Sequence, residues 1–420
     1  MGQLATRPRH KMRGTGKLKV VALALGGLGG FWLATRPRGP VSAQNPSPAA
    51  RIFMDIVERV DWSAGWDKLP VLPGLVSLVG IRMRMRQMNL ADTSGGRVPQ
   101  PREHRPEEHH EHEAHIQTPT GTRHLTARTP DGTYNDLNDP TMGSAGTRFG
   151  RNVPLDATFP ESESAMLAPN PRTVSRELLT RDSFKPATTL NILAAAWLQF
   201  MVHDWLSHGK NEKAIGSPRR PWELSLADDD PWPERPMTIL RSRGDPTRAE
   251  DERDLPPTFI NVSTHWWDAS QLYGNSAPTQ ARVRSGRDGK LKVEADGLLP
   301  LDPDTGTDIT GVMGNWWLGL TLMHTLFTLE HNAICDRLRR EYPTWGDDDL
   351  FDHARLVNAA LLAKIHTVEW TTAILGHPTM QVAMRGNWWG LEMERISRTL
   401  GRVSRNEVIS GIPGSETDHF

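Results

Sequence analysis

The sequence predicts a mainly α-helical fold with long loops, on three observations. Apolar residues recur at helical spacing near 188–208, 315–342, 348–376 and 389–400. No stretch sustains the period-two alternation of several strands. Thirty-two prolines and 36 glycines in 420 residues separate the helices by loops, above all the Pro- and Asp-rich 211–257. Fifteen tryptophans add the expectation of an extensive core around a sizeable cavity or ligand. A formal net charge of −1 gives no sign of nucleic-acid binding, and the single Cys335 excludes an internal disulfide framework.

Residues 1–50 read as a tail, basic over 1–19 and apolar over 20–34 (VVALALGGLGGFWLA). Three readings stay open for it: a signal peptide cut near Val41-Ser42-Ala43, a short membrane anchor, or an extension upstream of a start at Met12 or Met54. Residues 51–91 read as two N-terminal helices. The second, LPVLPGLVSLVGIRMRMRQM (69–88), has a basic edge that suits either a membrane interface or packing on the main body. The expected localisation is accordingly membrane-associated or cytoplasmic. Residues 92–120 are a His-, Glu- and Pro-rich linker whose histidines lack a regular ligand spacing. Residues 121–420 turn globular, beginning with the turn signal in TPDGTYNDL (129–137).

The stretch WLQFMVHDWLSHG (197–209) is apolar almost all round, so its helix belongs in a core. It nevertheless carries Gln199, His203, Asp204 and His208. Gln199 and His203 are four residues apart and share a face. Asp204 is rotated by about 100° and meets a different neighbour. Either each is an ordinary hydrogen-bonded core group, or the helix serves two sites at once. The segment THWWDAS (264–270) sets Thr264, Trp266, Asp268 and Ser270 at alternate positions of an extended loop. Two hydroxyls, a carboxylate and a free carbonyl are hard oxygen ligands, and Asp204 brings the count to about seven, within the range calcium takes. By contrast DPDTGTD (302–308) reads as a turn, with Gly306 misplaced for a calcium loop and no closing glutamate. His324 and His331 share one face of a long helix, as core residues or as a site wall. In LLAKIHTVEWTTAILGHP (361–378), His366 and Thr371 interrupt an apolar helix. They suit a carboxylate at the end of an apolar tunnel, or are simply buried polar groups.

Together DGTYNDL…MGSAGTRFGRNVP, WLQFMVHDWLSH, THWWDASQLYG, MHTLFTLEHNAICDRLRREYPTW and AKIHTVEWTTAILG resemble, in order, the motifs of the animal-type haem peroxidase superfamily. The resemblance is nearest to its bacterial members and the fatty-acid α-dioxygenases, and it runs from about 129 to 417. It implies a haem peroxidase-like helical fold with haem b, in which His203 is the distal histidine and Gln199 its companion one turn earlier. It implies calcium on Asp204, Thr264, the Trp266 carbonyl, Asp268 and Ser270, and a fatty-acid carboxylate on His366 and Thr371. The implied reactants are peroxide, dioxygen and a fatty acid. The alternatives are a peroxidase acting on small reductants and an inactive calcium- or lipid-binding fragment.

Three departures accompany the resemblance. Met313 stands where the mammalian enzymes carry a distal arginine, and Trp316 and Trp317 stand where they attach haem covalently. Tyr134, Tyr273 and Tyr342 do not fall at the radical position, and His419 lies before the helix that carries the proximal histidine. The resemblance therefore implies a domain incomplete at the C-terminus, with the proximal haem ligand absent and haem binding weakened.

Overall fold

The computed structural model describes residues 48–89, 121–137, 140–149, 162–208, 221–242, 245, 250, 258–404 and 407–411. Segments 1–47 and 92–120, on which the anchor and linker readings fall, lie outside the described residues. In chain order the helices that matter here are α1 (Pro48–Ala64), α2 (Val71–Asn89), α3 (Ile192–Trp205), α4 (Ser270–Tyr273), α5 (Ala277–Val283), α6 (Leu318–Glu341), α7 (Asp347–Lys364), α8 (Pro378–Trp389) and α9 (Met393–Leu400). Among the described residues the sheet structure is one antiparallel pair, β1 (Trp222–Leu224) with β2 (Met237–Ile239). The mainly helical class holds. The expected helix over 389–400 is corrected: α8 stops at Trp389, a 3-10 turn occupies Gly390–Glu392, and α9 follows. Gly390 has φ +66, and a Cβ there would strike the backbone of Ile409 and Gly411. Only glycine satisfies both conditions, so the helix breaks there.

The chain divides into two compact units. The first joins α1 and α2 to the residues from 363 onward. Phe53, Met54 and Val57 of α1 are buried, and Gly80 of α2 lies so close to Val57 that a side chain there would overlap it. The helices thus approach through a glycine. His377 starts α8 by accepting the Thr379 N–H at Nδ1 (3.2 Å), and its Nε2 donates to the Asp67 carbonyl (2.8 Å). Pro378 at the first helical position gives up a donor that the helix leaves unpaired anyway. No described helix is long and apolar enough to cross a membrane.

The second unit runs through residue 362 and contains α3, α4, α5, α6 and most of α7. The Asn191 side chain caps α3 by accepting the Leu193 N–H at 3.0 Å. Inside, Phe200 of α3 stacks on Phe327 of α6 at 5.4 Å, and Trp197 meets the same ring at 5.8 Å. Burying each such ring contributes about 2–3 kcal/mol, so the packing of α3 on α6 fixes where the polar groups of α3 emerge. Asp347, Asp348 and Asp349 open α7, where the helix dipole favours negative charge. Arg284 and Arg123 meet the first two of these carboxylates.

Candidate functional site

Helix α3 presents two polar faces. On one, His203 is half-buried and its Nδ1 has no hydrogen-bond partner among the described residues. Burial holds its pKa below the ordinary 6.5, so the ring is neutral at neutral pH. One turn earlier, Gln199 is held at both ends. Its Nε2 donates to the Asn315 carbonyl (3.2 Å), and its Oε1 accepts the Trp317 indole N–H (2.8 Å). Trp316 donates instead to Asp308 (3.1 Å) and Thr321 (2.8 Å). The Asn-Trp-Trp segment before α6 thus orients the amide beside His203. His324 of α6 packs its ring against the edge of Phe200 at 5.1 Å and is pushed down to about 3, by burial first and by His203 second.

A second face, about 100° round the helix, carries Asp204, which is 2 % exposed. Its Oδ1 accepts the Ser270 backbone N–H (2.6 Å) and the Ser270 hydroxyl (2.7 Å). The Thr264 hydroxyl donates to Asp268 Oδ1 at 2.6 Å. Burial, then repulsion from Asp268, pushes the Asp204 carboxyl up to about 7. Asp204, Thr264, Asp268 and Ser270 therefore converge in one buried cluster. The expected extended loop is corrected. Trp267 (φ 51) and Ala269 (φ 61) take left-handed backbone, and Ser270 opens α4. These kinks, rather than strand alternation, aim the oxygens at Asp204. The Trp266 side chain points elsewhere, its indole donating to the Met142 carbonyl at 2.7 Å.

Two arginines that sequence reasoning missed complete this cluster. Arg355 of α7, 1 % exposed, donates to Asp268 Oδ2 (3.1 Å), to the Asp268 carbonyl (3.3 Å) and to the Thr129 carbonyl (3.1 Å). Arg128 faces Asp268, Asp204 and Arg355, and burial lowers its pKa. The available signal was a charged residue at a core-facing position of the apolar ARLVNAALL stretch. Hydroxyls and carboxylates suit a hard divalent cation. Among the described residues no group of three or more histidines, thiols and carboxylates is placed to hold a metal ion; this cluster, with two carboxylates, would rely on hydroxyl and carbonyl oxygens as well.

In the first unit, a π-helix spans Ile365–Trp370. Its i→i+5 repeat brings residues five apart into register, which explains how His366 and Thr371 share a face. The Thr371 hydroxyl donates to the His366 carbonyl at 2.8 Å. Burial lowers the His366 pKa, and its ring lies 6.4 Å from that of Trp370.

One helix thus carries a neutral imidazole near a clamped amide on one face and a buried carboxylate, paired with a second one, on another. The animal haem peroxidase family model matches residues 127–409, and the chain belongs to that family. Membership implies haem as the cofactor. The chain is 35% identical over 367 residues to an alpha-dioxygenase PIOX of Pisum sativum, covering 86% of this chain and 51% of the relative. It is 34% identical over 373 residues to that of Nicotiana tabacum, covering 87% and 52%. The crystal structure of Arabidopsis thaliana fatty acid alpha-dioxygenase superposes with a TM-score of 0.71 at 31% identity, over 93% of this chain and 57% of that one. An Oryza sativa fatty acid alpha-dioxygenase variant with palmitic acid superposes with a TM-score of 0.70 at 31% identity, over 88% and 55%. The chain spans about half the length of the curated relatives it matches.

Proposed function

We propose that this chain carries the distal side of a haem-dependent fatty-acid α-dioxygenase that also binds calcium. The observation that carries the reading is His203: neutral, half-buried, unbonded at Nδ1, and next to an amide already fixed in direction. A neutral imidazole can take a proton from one oxygen and return it to another as an O–O bond is cleaved. Gln199 spends one amide N–H on Asn315 and keeps the second for a small oxygen ligand. Haem b bound against this face supplies the redox chemistry toward peroxide and dioxygen.

Calcium suits Asp204, Thr264, Asp268, Ser270 and the Trp266 carbonyl. A divalent charge there would offset the burial and the Asp268 repulsion that raise Asp204, and would stiffen the helix that aims His203. The π-helix pair His366 and Thr371 suits a fatty-acid carboxylate. Binding requires the Thr371 hydroxyl to turn away from the His366 carbonyl, and the incoming anion favours a protonated His366.

The test is oxygen uptake by the haem-reconstituted protein with palmitate. Palmitate-dependent uptake supports the reading, with loss of about 100-fold or more in His203→Ala and loss of the palmitate response in His366→Ala. Guaiacol oxidation without any fatty-acid response overturns the dioxygenase reading in favour of a small-reductant peroxidase. A missing Soret band with calcium binding retained reduces the chain to a calcium- or lipid-binding fragment.

A further inference from the structure

Tyr273, the last residue of α4, is 0 % exposed and takes no part in the proposed site. Its hydroxyl lies 2.9 Å from Nδ1 of His331 on α6. The other ring nitrogen of His331, Nε2, lies 2.9 Å from the Gly289 carbonyl. A carbonyl only accepts, so Nε2 carries the hydrogen. Burial keeps the ring neutral, with its pKa pushed down to about 4, so Nδ1 is bare. The phenol O–H must then donate to it. From the other side, Asn358 Nδ2 donates to the phenol oxygen (2.9 Å) and to the Phe327 carbonyl (3.1 Å). The phenol thus has one fixed proton acceptor and one fixed donor inside the buried core.

That arrangement matters for electron transfer. A phenol that loses an electron becomes a strong acid, and a buried one is shielded from bulk water that could take its proton. Left in place, the proton would make the product an unpaired buried cation, which is costly. Prior ionisation is closed as a route, because burial also pushes the Tyr273 pKa well up. An acceptor already within hydrogen-bond distance removes both obstacles.

We infer that Tyr273 and His331 form a redox-active pair, in which Tyr273 gives up an electron while its proton crosses to His331 Nδ1. The O–H bond of Tyr273 breaks, an N–H bond forms on His331, and one electron leaves to a high-potential one-electron oxidant. The products are a neutral phenoxyl and an imidazolium. Arg355, whose guanidinium carbon is 5.3 Å from the Tyr273 ring centre, and Arg284, over Phe351 at 4.2 Å, disfavour that imidazolium. The proton therefore returns when the phenoxyl is reduced, and the pair stores an oxidising equivalent reversibly. The Cys335 thiol, 3.5 Å from His331 Nε2, stays protonated because burial pushes it up to about 12. Phe351 at 5.7 Å from Tyr273 lines the pair with a further aromatic ring. That the protein's haem would supply this oxidant rests on the function proposed above; the proton arrangement does not.

The experiment supplies its own oxidant, so it separates the two readings. The haem-free 420-residue chain is prepared as Tyr134→Phe/Tyr342→Phe, which leaves Tyr273 as the sole tyrosine of the three. A flash-quenched ruthenium(III) tris-bipyridine complex then oxidises the protein, and freeze-quenched samples are read by electron paramagnetic resonance. A tyrosyl signal that narrows with β-deuterated tyrosine is expected, with its g1 value lowered by a hydrogen bond and an exchangeable proton coupled to the radical. In His331→Phe the yield falls about tenfold or more, as removal of a positioned proton acceptor requires. Tryptophanyl signal alone, or a tyrosyl signal without the exchangeable proton, overturns the inference. The coupling is measured in the variant that retains His331, so the test stands even where His331→Phe does not fold. A positive result holds even if the chain binds no haem.

Discussion

The two faces of α3 differ in how complete they are. Behind the helix, Asp204 is buried and doubly bonded to Ser270, Thr264 is locked to Asp268, and Arg355 ties that carboxylate to α7. In front, Gln199 is clamped by Trp317, but His203 stays half-buried with Nδ1 unbonded. The rear face is organised by this chain's own charges and hydroxyls and serves to hold. The front face is aimed, and its unbonded ring nitrogen is a buried polar atom left without a partner among the described residues, which is what the proton-exchange role proposed for His203 would use. On the proposed reading, positioning and reactivity are divided between two faces of one helix.

The comparison breaks hardest at Arg355. Arg355→Leu leaves the buried Asp268 carboxylate without its ion-pair partner, and stability is expected to fall by about 3–5 kcal/mol. Thermal or urea unfolding measures this, and a loss under 1 kcal/mol would mean that Arg128 alone neutralises the cluster.

The next effect sharpens the calcium assignment. The Asp204 pKa is raised from 3.8 to about 7 by burial and Asp268. A raised carboxyl stabilises the fold below the unfolded value, and that contribution is lost as pH rises through about 7. Chelator-treated protein should therefore lose stability between roughly pH 4 and 7. Calcium binds the ionised form, so at pH 7.5 and a hundredfold excess over Kd it should add about 2.7 kcal/mol. Asp204→Asn should lose both the pH slope and the calcium response. A calcium response that persists in Asp204→Asn would sink the assignment.

The smallest effect falls on the front face. Trp317→Phe removes one hydrogen bond to Gln199 at a cost of about 1 kcal/mol. The calcium response should be unchanged, while the Soret maximum of the reconstituted protein shifts because the amide is no longer oriented. An altered calcium response would show that the two faces are not independent.

Much of this is legible in the sequence. Gln199, His203 and Asp204 separate onto two faces because helical geometry dictates it, and α3 confirms that spacing. The family was legible as five motifs in order. The partners were not. Trp317 reaches Gln199 across 118 positions and Arg355 reaches Asp268 across 87, and no local pattern encodes such pairings. The loop before α4 was misread as extended, because left-handed backbone at Trp267 and Ala269 runs against the preference of those residues and is imposed by the bonds around them. The π-helix was hidden for a similar reason. Its i→i+5 register leaves no mark on composition, although the five-residue spacing of His366 and Thr371 hinted at it.

The amino-acid order alone determined the helical class, the polar residues that an apolar helix could not bury without purpose, and the oxygen-rich character of the 264–270 segment, since periodicity and ligand chemistry are properties of neighbours in sequence. Tertiary structure alone decided that Arg355 and Arg128 balance the carboxylates, that Trp317 sets the direction of Gln199, and that Tyr273 donates to His331. Those choices depend on burial and on contacts between distant segments, and both come into being only when the chain packs.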